Sequence, residues 1–190
     1  MKRILPATLL FLAIGIAPAL AQTYLGIQGA MGVPTGAFAK EYAIGYGGNG
    51  QFLYNLVEDN LWIVGEIGFK YFGYDNPERE ELSGRLTTVP LFGSVRYQLA
   101  KGNFRPYVGG GLGIHFGSRK LEEQQAVGVK IYRRSESSIG AAFLGGFLYP
   151  ISTKLQLDAT VLVQTILFED IADSPAFLSV KVGILFPVAF

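Results

Sequence analysis

The sequence predicts an all-β protein: an eight-stranded antiparallel up-and-down transmembrane β-barrel behind an export signal. Three observations carry this. Apolar residues alternate with small or polar ones at period two in segment after segment, as in strands whose two faces meet different environments. Charged residues make up only 16% of the chain, against roughly 25% in ordinary soluble domains, yet past the leader no apolar run approaches the ~18 residues of a spanning helix. The connections between strands also alternate short and long. In lipid every backbone group must be paired internally, so strands without a spanning helix must close into a barrel.

The leader has a positive start, Met1-Lys2-Arg3, an apolar stretch from Ile4 to Ala17, and the small-x-small site Ala19-Leu20-Ala21. This reads as a secretory signal peptide over residues 1–21, with a barrel domain over 22–190. Without Lys2 and Arg3, 14 basic residues face 15 acidic ones. That near-neutral balance offers nothing to nucleic acid. The chain has no cysteine and one histidine. A disulfide staple and a Cys/His zinc site are therefore excluded, carboxylate-bound ions remain open, and no metal or cofactor is expected.

The strands follow in order. The first spans about 23–32, with Leu25, Ile27 and Met31 against Tyr24, Gln28 and Gly32. The second spans 44–56, with Phe52, Tyr54 and Leu56 against Asn49, Gln51 and Asn55. The third spans 61–73, with Ile63, Ile67 and Phe69 against Trp62, Glu66 and Lys70. The fourth and fifth form a hairpin from Val89 to Phe116 that turns at Lys101-Gly102-Asn103, residues that tolerate positive φ. Here Leu91, Val95, Val108, Leu112 and Ile114 oppose Ser94, Arg96, Tyr107, Gly109, Gly111, Gly113 and His115. The sixth spans 138–149 and is too rich in Gly and Ala to show its faces. The seventh spans 154–166, with Leu155, Val161 and Val163 against Gln156, Asp158 and Gln164. The eighth spans 177–190, with Val180, Val182 and Ile184 against Ser179, Lys181 and Gly183.

The connections 57–60, 101–103 and 150–153 are tight, whereas 33–43, 74–85, 118–137 and 168–176 are long. Short turns on one rim and long loops on the other fit periplasmic and extracellular sides, with both termini at the short rim. Within 118–137, Val127, Val129 and Ile131 alternate with Gly128, Lys130 and Tyr132. This points to the fifth and sixth strands continuing past the membrane as a protruding hairpin. A soluble calyx would have the same period, but its outer wall would be thick with charge. Here the less apolar face holds only Glu66, Lys70, Arg96, His115, Asp158 and Lys181 as ionisable groups, which suits a crowded lumen. Aromatics near strand ends (Tyr54, Tyr71, Tyr97, Phe116, Tyr149, Phe168) fit interfacial girdles.

Gly32-Val33-Pro34-Thr35-Gly36-Ala37-Phe38, Val89-Pro90-Leu91-Phe92 to Arg96-Tyr97, and Arg105-Pro106-Tyr107-Val108-Gly109-Gly110-Gly111-Leu112-Gly113 resemble segments of one family. These are the small eight-stranded bacterial outer-membrane barrels of the outer-membrane protein A and X type. The resemblance spans the mature chain. It implies an outer-membrane location and contact with outer-membrane lipid and lipopolysaccharide. It also implies that the terminal Phe190, behind Val188, Phe186 and Ile184, is the signal read by the barrel-assembly machinery. It is weak for activity, because the family hosts structural proteins, adhesins, small pores and a few lipid-modifying enzymes.

Three functional readings follow. In relatives that deacylate lipid A, a His and a Ser stand two residues apart on the lipid face. Here Gly117 holds that position and His115 has lumen parity, so the enzyme reading fails at the motif and no catalytic residues are assigned. Glu66, Lys70, Arg96, His115, Asp158 and Lys181 all have inward parity, and buried charges persist only when paired. The expectation is a structural network, with Glu66 near Lys70 and Lys181 and Arg96 near Asp158 across the bore; a gated ion path is the alternative. Arg119, Lys120, Arg133 and Arg134 belong to a mixed-charge loop that is either solvated surface or a contact for phosphates or a partner cell. A monomeric barrel with a filled lumen and a structural or surface-contact role is the expectation, ahead of a narrow pore.

Overall fold

Side chains that point out from the barrel are apolar and bare, and those that point in are polar and covered. Ile27, Leu112 and Phe143 are 63%, 64% and 81% exposed, while Arg96, His115 and Asp158 are at 2%, 1% and 0%. This inversion of a soluble protein is what a lipid solvent requires. The computed structural model describes residues 22–57, 60–77, 82–125, 128–167 and 176–188. The leader at 1–21, Val127, Phe168 and the terminal Phe190 lie outside the described residues.

The strands are β1 (Thr23–Thr35), β2 (Gly45–Val57), β3 (Leu61–Gly73), β4 (Leu82–Gln98), β5 (Arg105–Gln125), β6 (Gly128–Ser152), β7 (Leu155–Leu167) and β8 (Ala176–Val188). Each pairs antiparallel with its neighbours in sequence, and β1 pairs with β8 to close the barrel. Closure leaves no unpaired edge within the membrane. The alternation sets the register of most strands, since a one-residue slip would turn every apolar side chain inward. On β6, where the sequence leaves the faces open, Ala142, Leu144 and Leu148 point inward and Phe143 outward. Gly102 adopts φ 121° in the β4–β5 turn, as its turn chemistry requires.

Glycines 109, 111 and 113 face inward, but their main service is to the backbone. A Cβ at these positions would meet the carbonyl oxygens of Val95, Gly93 and Leu91 on β4 at 2.3, 2.2 and 2.7 Å. They leave room for the β4 backbone against β5.

Two expected connections are strand in part or almost throughout. Residues 74–85 contribute their last four to β4, and 118–137 is almost wholly hairpin, with β5 running to Gln125 and β6 starting at Gly128. The ladder Ser118↔Ser135 to Gln125↔Gly128 is regular. Alternation of valine and isoleucine with polar residues favours strand over open loop even where the side chains are charged. The third long connection is therefore a protruding blade, not a loop. β1 also runs past its expected end, through Pro34, to Thr35.

Candidate functional site

The centre of the lumen is built on Arg96 and Asp158, which stand three strands apart and meet across the bore. Arg96 Nη1 donates to Asp158 Oδ2 at 3.0 Å, and Nη2 donates to Glu66 Oε1 at 2.8 Å and to Gln51 Oε1 at 3.0 Å. The guanidinium also lies over the Tyr107 ring, 5.0 Å from its centroid. Asp158 accepts from Gln28 and Gln51 at 2.9 and 2.8 Å, from the Tyr107 hydroxyl at 2.5 Å and from Thr160 at 3.2 Å. Lys181 donates to the second oxygen of Glu66. Two carboxylates and two cations thus satisfy one another, the condition under which buried charge is tolerated.

Lys70 stands apart. It makes no ion pair with Glu66; its Nζ donates to Gln164 Oε1 and Ser179 Oγ, each at 3.1 Å, and lies 4.2 Å from the Phe177 ring centroid. Four positions separate Lys70 from Glu66 on β3, so it reaches the neutral side chains of β7 and β8 nearer the outer end. His115 shares that compartment, with Nε2 2.7 Å from Gln164 Nε2. A void of about 20 Å³ beside Lys70, Lys181, Asn49 and Gln164 has room for roughly one water.

Apolar layers close both ends of this polar core. Tyr24, Leu53, Trp62, Leu148 and Leu185 are buried toward the short-turn rim. Toward the other rim Tyr42, Phe72, Leu86, Ile166 and Phe177 cluster, with Phe38 and Tyr74 against them. The β1–β2 connection supplies this lid. Its 3-10 turn over Gly36–Lys40 folds inward, Phe38 meets Phe72 edge-on with centroids 5.4 Å apart, and Tyr42 bridges to Tyr74. Arg119 holds the lid from above, 3.2 Å from Glu41 and over the Tyr42 ring. Burial pushes the Tyr42 phenol up to about 12, a rise that the nearby Arg119 charge only partly offsets.

The remaining cations belong to the blade. Arg119 and Arg134 are direct partners on its inner face, and Lys120 and Arg133 on its outer face. Lys120 pairs with Glu122 and Arg134 with Glu136. The sequence-derived set therefore divides between two faces. The glutamines at 28, 51 and 164, the Tyr107 hydroxyl and the aromatic lid are functional parts that the sequence reading left unassigned. For all but Phe38 and Tyr42, which lie in the β1–β2 connection, the signal was inward parity alone: a bulky aromatic such as Phe72 or Phe177 on the polar face of its strand.

These features define the class: an integral, closed, eight-stranded β-barrel with a lipid-facing belt and a filled polar interior. No family model and no curated protein matches the sequence. Solved structures do. The fold is similar to that of Neisserial surface protein A, with a TM-score of 0.62 and 17% identity over 90% of this chain and 99% of that one. It is similar to a major outer membrane protein from Thermus thermophilus, with a TM-score of 0.65 and 15% identity over 89% and 100% of the two chains. It is also similar to Ail, the attachment invasion locus protein of Yersinia pestis, solved with the heparin analogue sucrose octasulfate, with a TM-score of 0.55 and 13% identity over 88% and 97%. The chain has the fold of the small bacterial outer-membrane barrels, and its bare apolar belt is the surface that a lipid bilayer requires.

Proposed function

We propose that the protein is a non-conducting membrane anchor that presents the β5–β6 blade for contact with anionic molecules at the cell surface. The observation that carries this reading is the contrast between a bore closed at both ends and a rigid cationic blade standing clear of the belt. From Ser138 to Gly128, β6 runs on for roughly 35 Å at a strand's rise per residue. A concavity of about 520 Å³ opens on the blade, lined by Leu82, Leu121, Tyr132, Glu123 and the arginines 119, 133 and 134. Guanidinium groups beside apolar and aromatic surface suit sulfated or phosphorylated polymers, since arginine binds such oxygens bidentately. The sulfated ligand in the Ail structure supports the same chemistry. No catalytic role is assigned, and the barrel acts as a monomer.

Binding of the refolded protein to sucrose octasulfate in detergent tests this. Binding should weaken as salt rises and fall at least about tenfold in Arg119→Gln/Arg134→Gln, the loss of roughly 1.4 kcal/mol. Binding unchanged by that double variant would reject the reading. Steady single-channel current in a planar bilayer would favour the narrow pore instead.

A further inference from the structure

The outer face of the blade carries a second cationic group. Arg85 on β4 pairs in register with Lys120 on β5, and Lys120 pairs with Arg133 on β6. Their parity is that of Val89 and Phe116, which face lipid at 40% and 51% exposure. Neighbouring strands lie about 4.8 Å apart, so three cations fall within roughly 10 Å. Like charges directly opposite one another weaken a sheet. Among the described residues one acid on this face answers them: Glu122, paired with Lys120. Its carboxyl is held below the usual range by the hydrogen bond and charge of Lys120, with Arg85 and Arg133 adding to the effect. Three cations thus converge on one carboxylate, and Arg85 and Arg133 have no ion pair of their own among the described residues.

The rows beneath complete the pattern. Two residues down each strand, on the same face, stand Thr87, Ser118 and Ser135, also in register. Two further down come Val89, Phe116 and Ser137, and the apolar belt begins at the first two. From the membrane outward the wall therefore reads apolar, hydroxyl, cationic, with the cations about 13 Å along the strand from the belt's edge. A soluble polyanion would be held by the cationic tier and would leave the belt's edge, about 13 Å away, uncovered. An amphiphile lying upright against the wall uses all three. We propose that Arg85, Lys120 and Arg133 bind the phosphate of a phosphorylated glycolipid of the outer leaflet. Its sugar lies against the hydroxyl row and its acyl chains against Val89 and Phe116. Arg133 also borders the concavity of the polymer contact, but Arg85 and Lys120 do not, and the row stands on the opposite face of the blade from Arg119 and Arg134.

The test titrates the refolded protein, in neutral detergent, with lipid A carrying both phosphates and with chemically dephosphorylated lipid A. Native mass spectrometry counts the bound lipid. The phosphorylated form is expected to bind at least tenfold more tightly. That advantage is lost in Arg85→Gln/Lys120→Gln/Arg133→Gln, reduced in Lys120→Gln, and kept in Arg119→Gln/Arg134→Gln. A fast-migrating band on unheated gels verifies that each variant is folded, and the single variant carries the test if the triple one is not. Equal binding of the two lipids, or an advantage that survives in the variants of the row, would each overturn the proposal.

Discussion

The two halves of the lumen hold buried charge in different ways. In the half nearer the short turns, Arg96 and Lys181 meet Glu66 and Asp158, and the amides of Gln28 and Gln51 fill the remaining acceptor positions of Asp158. In the half nearer the lid, Lys70 has no carboxylate partner among the described residues; an amide, a hydroxyl and an aromatic face surround it. The first arrangement is locked, because removing any member strands a charge. The second is adjustable, because its members are neutral apart from the lysine. A barrel stabilised at one end by charge closure can carry a softer compartment and a folded-in loop at the other.

The largest expected effect comes from breaking the locked half. Arg96→Ala leaves Asp158 with no cation and removes one of the two on Glu66. Stranding a buried charge costs about 3–5 kcal/mol, so equilibrium unfolding in urea should show a loss of that size. A loss under about 1 kcal/mol would mean that the glutamines and Tyr107 hold Asp158, and Lys181 holds Glu66, without the arginine.

The adjustable half should respond in the opposite manner. Lys70→Met keeps the stem's bulk and removes a buried cation with no carboxylate partner. Gln164 and Ser179 each lose a partner, at a cost of the order of 1 kcal/mol apiece, and the relief of desolvation offsets it. Stability within about 1 kcal/mol of the parent is expected in the same urea experiment. A loss as large as that of Arg96→Ala would erase the distinction between the halves.

How much of this the sequence shows depends on the physical rule involved. Period two exposes the faces of β3, β5 and β7 directly, because lipid and lumen make opposite demands on alternate residues. Inward parity also singles out Arg96, Asp158, Glu66 and Lys181, since few charges survive on those faces. Parity does not show height. Lys70 has the right face but sits four residues, about 13 Å, along β3 from Glu66, and strand tilt and stagger decide which side chains of β7 and β8 stand level with it. The blade misleads in part because charged residues in 118–137 resemble solvated loop, although Val129, Ile131 and the alternating register hold them as strand. The lid is almost invisible: Phe38 and Tyr42 carry no periodic signal, and a long-range contact with Phe72 gives them their place.

The smallest effect concerns the lid, and it separates a latch from a bystander. The Arg119–Glu41 pair is about one-third exposed on the arginine side, so Arg119→Ala should cost no more than about 1 kcal/mol. The readout is the Tyr42 phenol, isolated as the difference between ultraviolet pH titrations of a protein and its Tyr42→Phe variant. Burial raises this pKa from 10 to about 12. The lid's closed form is thus fully favoured below pH 10 and loses that advantage as the pH rises toward 12. Removing Arg119 acts on Tyr42 in two opposed ways. If the lid stays shut, loss of a nearby positive charge raises the pKa further. If Arg119 latches the lid, opening restores water to the phenol and the pKa falls toward 10. A fall, accompanied by faster tryptic cleavage after Lys40 at neutral pH, is the expected outcome. A rise with unchanged cleavage would show that the aromatic cluster holds the lid without help from the blade.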